Sequence, residues 1–153
     1  MTIIIQGGTS FMKKTMIFSV LFTLCSLGAI AQYYNVEKLK SGVWRQTQYD
    51  ETKEKRFLSF TDSIWTDTYY AFWKGEWISA LSAHPYYLSK TIPQAFDFSK
   101  VGKGESGKYL VEWNDTTKEL FVCEIIQLTD RLFKFKIDNG DVFIYIKVVF
   151  PVL

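Results

Sequence analysis

The segment Gly102-Lys103-Gly104-Glu105-Ser106-Gly107-Lys108 has the GxxxxGK spacing of a loop that grips phosphate. Such a loop works when a strand delivers it and a helix follows, so that backbone N–H groups and a helix N-terminus converge on the anion. Here the strand-like Tyr109-Leu110-Val111-Glu112-Trp113 follows, and Tyr109 stands where a Ser or Thr would hold magnesium. The string therefore reads as a flexible turn. His84 is the single histidine, which excludes a site built from several imidazoles. It precedes Pro85 in an expected loop with no recognisable nucleophile motif around it, and reads as an exposed or partly packed ring. Cys123 has no base beside it in sequence and reads as a small buried side chain of a strand. The carboxylate pairs Asp62 with Asp67 and Asp138 with Asp141 fall in or next to expected turns, where Asp serves local hydrogen bonding. Neither pair has the spacing of a calcium loop. These residues give no catalytic constellation, no metal site and no cofactor site, so the chain is expected not to be an enzyme.

The N-terminal region differs from the rest. Met12, Lys13 and Lys14 make a positive start, the run from Met16 to Leu27 is apolar, and Ala29-Ile30-Ala31 supplies the small residues that a signal peptidase requires. The apolar stretch from Met16 to Ala31 is shorter than the roughly 18–20 residues that span a bilayer, so no transmembrane anchor is expected after cleavage. Thr23-Leu24 before Cys25 lacks the small residue that precedes a lipid-modified cysteine. An n-region starting at Met12 is complete in itself, so residues 1–11 read as an extension ahead of it. The expected organisation is an N-terminal extension and cleavable signal peptide over 1–31 and a single domain over 32–153, exported to the periplasm or secreted. The 18 Lys and Arg include Lys13 and Lys14, so residues 32–153 carry as many basic as acidic side chains, 16 of each. No basic stripe remains to favour nucleic acid. Cys123 is then the only thiol, and no intrachain disulfide is possible.

The elements follow from turn residues and alternation. Asn35 caps a short helical turn through Lys40, and Ser41-Gly42 ends it. Val43–Tyr49, Arg56–Thr61, Ile64–Trp73 and Trp77–Ser82 read as strands, with turns at Asp62-Ser63 and Lys74-Gly75. Two prolines leave 84–93 as loop with at most an edge strand. Lys108–Trp113, Glu119–Leu128, Leu132–Ile137 and Val142–Val149 complete the series. Asn139-Gly140 is the expected type I′ turn. In 132–137, Phe133, Phe135 and Ile137 alternate with Lys134 and Lys136, giving one dry and one wet face. Seven or eight such strands at short spacing predict a closed barrel or a sandwich.

Aromatic content is the remaining signal: five Trp, nine Tyr and 13 Phe, of which only Phe11, Phe18 and Phe22 fall in the leader. Trp65, Tyr69, Tyr70, Phe72, Trp73, Trp77, Tyr86 and Tyr87 crowd one region, with rings on both faces of a strand. One face belongs to a core, and the other must line a cavity, meet a partner or lie bare as a binding platform.

Gly42-Val43-Trp44, just after the helical turn and opening the first strand, resembles the G-x-W signature of lipocalins, in particular the small exported lipocalin-like domains of Bacteroidetes. The resemblance covers 36–149 in pattern. It implies an all-β, antiparallel up-and-down barrel of about eight strands, with Gly42 and Trp44 structural and Trp44 plugging the closed end. Thr129-Asp130-Arg131 lacks the tyrosine of the family's second signature, and Lys147 stands where an arginine would stack on the tryptophan. The implied function is non-catalytic binding of a small apolar or amphipathic ligand in the barrel. Tyr70, Phe72, Trp77, Trp113 and Phe133 are the candidate lining residues, chosen as large side chains on strands. The alternative is an envelope interaction module whose exposed rings near Trp73 to Tyr87 meet a protein partner or a glycan.

Overall fold

A computed structural model describes residues 32–148; the segment expected as a signal peptide and Val149, the expected end of the last strand, lie outside the described residues. Helix α1 (Val36–Lys40) starts where Asn35 Oδ1 accepts a hydrogen bond from Glu37 N at 2.9 Å, and it buries Val36 and Leu39. Eight strands follow: β1 (Val43–Gln46), β2 (Glu54–Phe60), β3 (Ile64–Trp73), β4 (Glu76–Ser89), β5 (Tyr109–Asn114), β6 (Glu119–Leu128), β7 (Leu132–Lys136) and β8 (Val142–Val148). Each pairs antiparallel with the next, and β8 pairs with β1 to close the ring. The fold is thus all-β, a closed eight-stranded up-and-down barrel preceded by a short helix. Closure leaves no sheet edge along the ring to attract another chain, provided the strands match in length.

They do not all match. The region expected as loop from His84 onward is instead the second half of one long strand, β4. Pro85 is tolerated because residues 76–85 pair with β3 while 86–89 pair with β5, so the proline sits where one ladder hands over to the other. Its missing N–H falls at the end of a ladder rather than within one. The β3–β4 hairpin consequently extends past the neighbouring β5–β6 hairpin.

Two turns exchange the expected geometry. Trp73 pairs with Glu76, and both intervening residues, Lys74 (φ 49°) and Gly75 (φ 89°), are left-handed, the type I′ pattern. At Asn139-Gly140 only the glycine has positive φ, 93°, and Gly140 N donates to Ile137 O while Ile137 N donates to Asp141 O. That is a three-residue loop ending in a left-handed glycine rather than the two-residue turn expected. The Asp138 side chain accepts from Asn139 N and that of Asn139 from Asp141 N, and together they hold it there.

One end of the barrel is solid. Trp44 is fully buried, its Nε1 donates to Leu39 O at 2.8 Å, and its ring meets Phe133 edge-on at 5.8 Å. Phe60, Tyr86, Leu88, Leu110, Ile125 and Leu128 pack around this pair, and Tyr86 OH donates to Thr61 O at 2.7 Å. Lys147 pairs with Trp44 across β1–β8, lies over Gly42 and donates to Ser41 Oγ at 3.0 Å. A Cβ on Gly42 would meet Lys147 Cε at 2.5 Å, so that close approach depends on glycine.

The glycine-rich segment at 102–108 is a turn. Gly102 and Gly104 have positive φ, no helix follows, and β5 begins at Tyr109. Lys108 is engaged with Glu124 at 2.6 Å. The connection from β4 to β5 folds onto the outer wall, where Phe96 and Phe98 on either side of Asp97 pack against Tyr87 and Trp113.

Candidate functional site

Along β2, β3, β4 and β5, every second residue shares the face of the buried core, as a pleat requires. In phase with Leu58 and Phe60 comes Arg56; with Trp65 comes Asp67; with Tyr86 and Leu88 come Ser82 and His84; with Leu110 come Glu112 and Asn114. These polar side chains turn inward together with Phe121, Cys123, Phe135, Ile137, Phe143 and Tyr145. They line a cavity of about 320 Å³ on the side of the interior away from Trp44. That volume is at the small end of the range for small-molecule sites, about 300–1,000 Å³.

One wall is aromatic. Phe135 stacks on Tyr145 at 5.6 Å and on Phe143 at 5.3 Å, so three rings from β7 and β8 form a column. Tyr145 OH donates to Gln46 Oε1 at 3.2 Å, and burial raises its pKa. The wall formed by β2 to β5 carries the charge. Arg56 Nε donates to both carboxylate oxygens of Asp67 at 2.9 Å, and Arg56 Nη2 donates to Asp67 Oδ2. This forked pair raises the pKa of Arg56, chiefly through its hydrogen bonds to Asp67, and leaves neither partner with charge to spare.

Glu112 is different. Its side chain is 10% exposed, and His84 Nε2 lies 3.8 Å away, beyond hydrogen-bond length. Burial pushes the Glu112 carboxyl up to about 7, with the Asp67 charge adding to the rise. The Trp65 indole N–H and Arg56 pull the other way. The indole N–H of Trp65 is itself buried and lacks a partner of hydrogen-bonding geometry, so its help is partial. Beside them Cys123 is pushed up to about 12 by burial, with the charge of Glu112 contributing, and it stays a thiol at neutral pH. The cavity therefore offers a proton-exchanging carboxyl, an unpaired indole donor, a neutral thiol and a ring-lined wall. Among the described residues no three of His, Cys, Asp and Glu converge as a metal set would.

Four of the five expected lining residues lie on the other face of the wall, and the fifth is in the closed end. Phe72 and Trp77 are 46% and 43% exposed and pack against each other at 5.4 Å outside the barrel, with Lys55 Nζ 4.7 Å from the Trp77 ring. Tyr70 has the same parity as Phe72 and meets Phe57 edge-on at 6.0 Å. Trp113, between the inward Glu112 and Asn114, is covered from outside by Phe96 and Phe98. Phe133 does point inward, but it packs against Trp44 and Phe60 in the closed end rather than at the cavity. The physical reason is parity: rings occupy both faces of these strands, and size alone does not say which face is inside. Asp67, expected beside a turn with Asp62, is in mid-strand holding Arg56, and His84, expected in a loop, is an inward residue of β4. Arg56 and Glu112 were missed, although each is a charged residue in step with a row of apolar ones, which is the signal that would have found them. No protein-family model, no curated protein and no solved structure matches this chain.

Proposed function

We propose that the barrel is a lipocalin-like, non-catalytic binding protein that holds one small amphipathic molecule between the ring column and Glu112. The observation that carries this is the coexistence, inside one barrel, of a solid end and a cavity of about 320 Å³ whose wall keeps the buried Trp65 indole N–H unpaired. Buried polar atoms without partners cost stability, and a ligand that pairs them repays that cost on binding. The sequence around Met12 to Ala31 adds that the protein works outside the cytoplasm, and N-terminal sequencing of the expressed product tests cleavage after Ala31.

The neutral dye N-phenyl-1-naphthylamine tests the cavity. Saturable one-to-one uptake is expected, with a change in tryptophan emission from Trp65, and Ser82→Phe should abolish it by occupying the space. Dye uptake that is not saturable, or is unaffected by Ser82→Phe, counts against the reading.

A second reading has its own observation. On the protruding β3–β4 hairpin, Phe72, Trp77 and Leu81 are exposed together on the outer face, and residues 76–85 of β4 pair on one side only. An exposed apolar patch next to an uncovered strand edge suits an envelope protein or the face of a sugar ring. Binding to immobilised oligosaccharides or to an envelope partner that is lost in Trp77→Ala but kept in Ser82→Phe would select it.

A further inference from the structure

Resting on that cavity reading, we infer that the preferred occupant is a small organic cation, an ammonium on an aromatic or aliphatic body, with Glu112 as its counter-ion and the Phe135–Phe143–Tyr145 column as its wall.

The charge inventory of the cavity selects the sign. Its lining holds one guanidinium, two carboxylates and one imidazole. The guanidinium of Arg56 is spent on Asp67, whose two oxygens both accept from it. An incoming carboxylate or phosphate would have to break that fork, leaving Asp67 buried and unpaired, which is among the costliest changes available to an interior. Glu112 has no such commitment, with His84 at 3.8 Å and an indole N–H that does not reach bonding geometry. An ammonium beside Glu112 would supply the missing opposite charge and favour the ionised carboxylate, which could then also accept from Trp65. The rings complete the match, since a cation is attracted to the face of an aromatic ring and gains more when water is excluded. A neutral molecule gains only the apolar part of this.

Binding then has a definite proton balance. Unliganded Glu112 holds a proton below neutrality; when the ammonium enters, that proton leaves for solvent and an ion pair remains. The groups facing Glu112 are His84 from β4, Trp65 and Asp67 from β3, Arg56 from β2, Cys123 from β6 and, across the cavity, Tyr145 from β8. Of these, none makes a hydrogen bond to Glu112 of normal geometry, so an incoming ammonium displaces no partner from it.

The experiment compares phenethylamine, 2-phenylethanol and phenylacetate by titration calorimetry at pH 5.5, 6.5 and 8. At pH 8 phenethylamine should bind at least about tenfold more tightly than the alcohol, and phenylacetate should bind weakest. The amine's advantage should shrink towards pH 5.5, with proton release at pH 6.5 read from the difference in binding heat between two buffers. Glu112→Gln should equalise amine and alcohol without lowering the affinity for the alcohol. If the alcohol or the acid binds as well as the amine to the unaltered protein, the inference is overturned while the cavity reading stands. If none of the three binds and the dye is also refused, the cavity reading falls and takes this inference with it.

Discussion

Where the barrel is filled, Trp44 gives its only N–H to Leu39 and its ring to Phe133; where the filled part meets the cavity, Trp65 packs on Phe60 but has a buried N–H with no partner. The two tryptophans face the same interior and sit on strands two apart in the ring. One is surrounded by Leu, Ile and Phe side chains that fill the space, while the other packs on Phe60 and also borders an open space lined by Arg56, Asp67, His84 and Glu112. A chain selected only for stability would fill both ends alike. Local rules are broken where function draws on the stability that the rest of the fold supplies, and here the breaches gather at one end. The closed end holds the ring of strands together, and the open end has charge and volume to offer.

The largest effect should come from removing the plug. Trp44→Ala takes away a fully buried indole, the edge-on contact with Phe133 and the hydrogen bond to Leu39 O, which stays buried and unpaired. A loss of about 3–5 kcal/mol in unfolding free energy is expected. Denaturant titration followed by far-UV circular dichroism measures it. A loss below about 1 kcal/mol would mean that the two ends are not mechanically distinct.

Much of this division was legible from sequence and part was not. Gly42-Val43-Trp44 after a capped helical turn located the closed end, and the alternation Phe133-Lys134-Phe135-Lys136 correctly gave one dry face. Lengths of β3 and β6 follow directly from their turn residues. What sequence lacks is the phase between strands. Tyr70 and Tyr69 are equally plausible inward residues until β3 is registered against β2, where Trp65 pairs with Phe60 and fixes the odd-numbered residues inside. The same pairing puts Arg56 and Asp67 on one side, a fact that neither strand contains alone. Pro85 misled for a related reason, since a proline is forbidden by a continuous ladder but not by the junction of two.

The second effect is a pH dependence confined to the open end. Glu112 in the folded protein titrates at about 7, against an ordinary value of 4.5. Its folded pKa is raised, so the folded state holds the proton more tightly than the unfolded chain does. The stability this contributes is full below pH 4.5 and is lost as pH rises through 7. At about 1.4 kcal/mol per pH unit of displacement, the loss amounts to about 3 kcal/mol across that window. Glu112→Gln should abolish this component, so that mutant and parent differ little at pH 4.5 while the mutant is the more stable at pH 8. Unfolding titrations at four or five pH values read the difference directly. A constant offset between the two proteins would show that Glu112 is not desolvated, and the contrast between the ends would lose its chemical half.

The smallest effect lies at the rim, in the turn that carries the β3–β4 hairpin beyond the open end. Lys74 adopts φ 49° beside Gly75, with its Nζ 5.9 Å from the Trp73 ring, and a Cβ added at Gly75 would find nothing within 4 Å. A left-handed lysine is disfavoured by its own Cβ, whereas asparagine tolerates the region and is the preferred first residue of a type I′ turn. Lys74→Asn should therefore stabilise the protein by about 0.5–1 kcal/mol, seen as a higher denaturation midpoint with an unchanged slope. Since the turn lies outside the cavity, affinity for the dye should not move. A coupled change in both would mean that the hairpin conformation reports on the interior, and the open end would then extend from Glu112 to the tip of β4 as one unit.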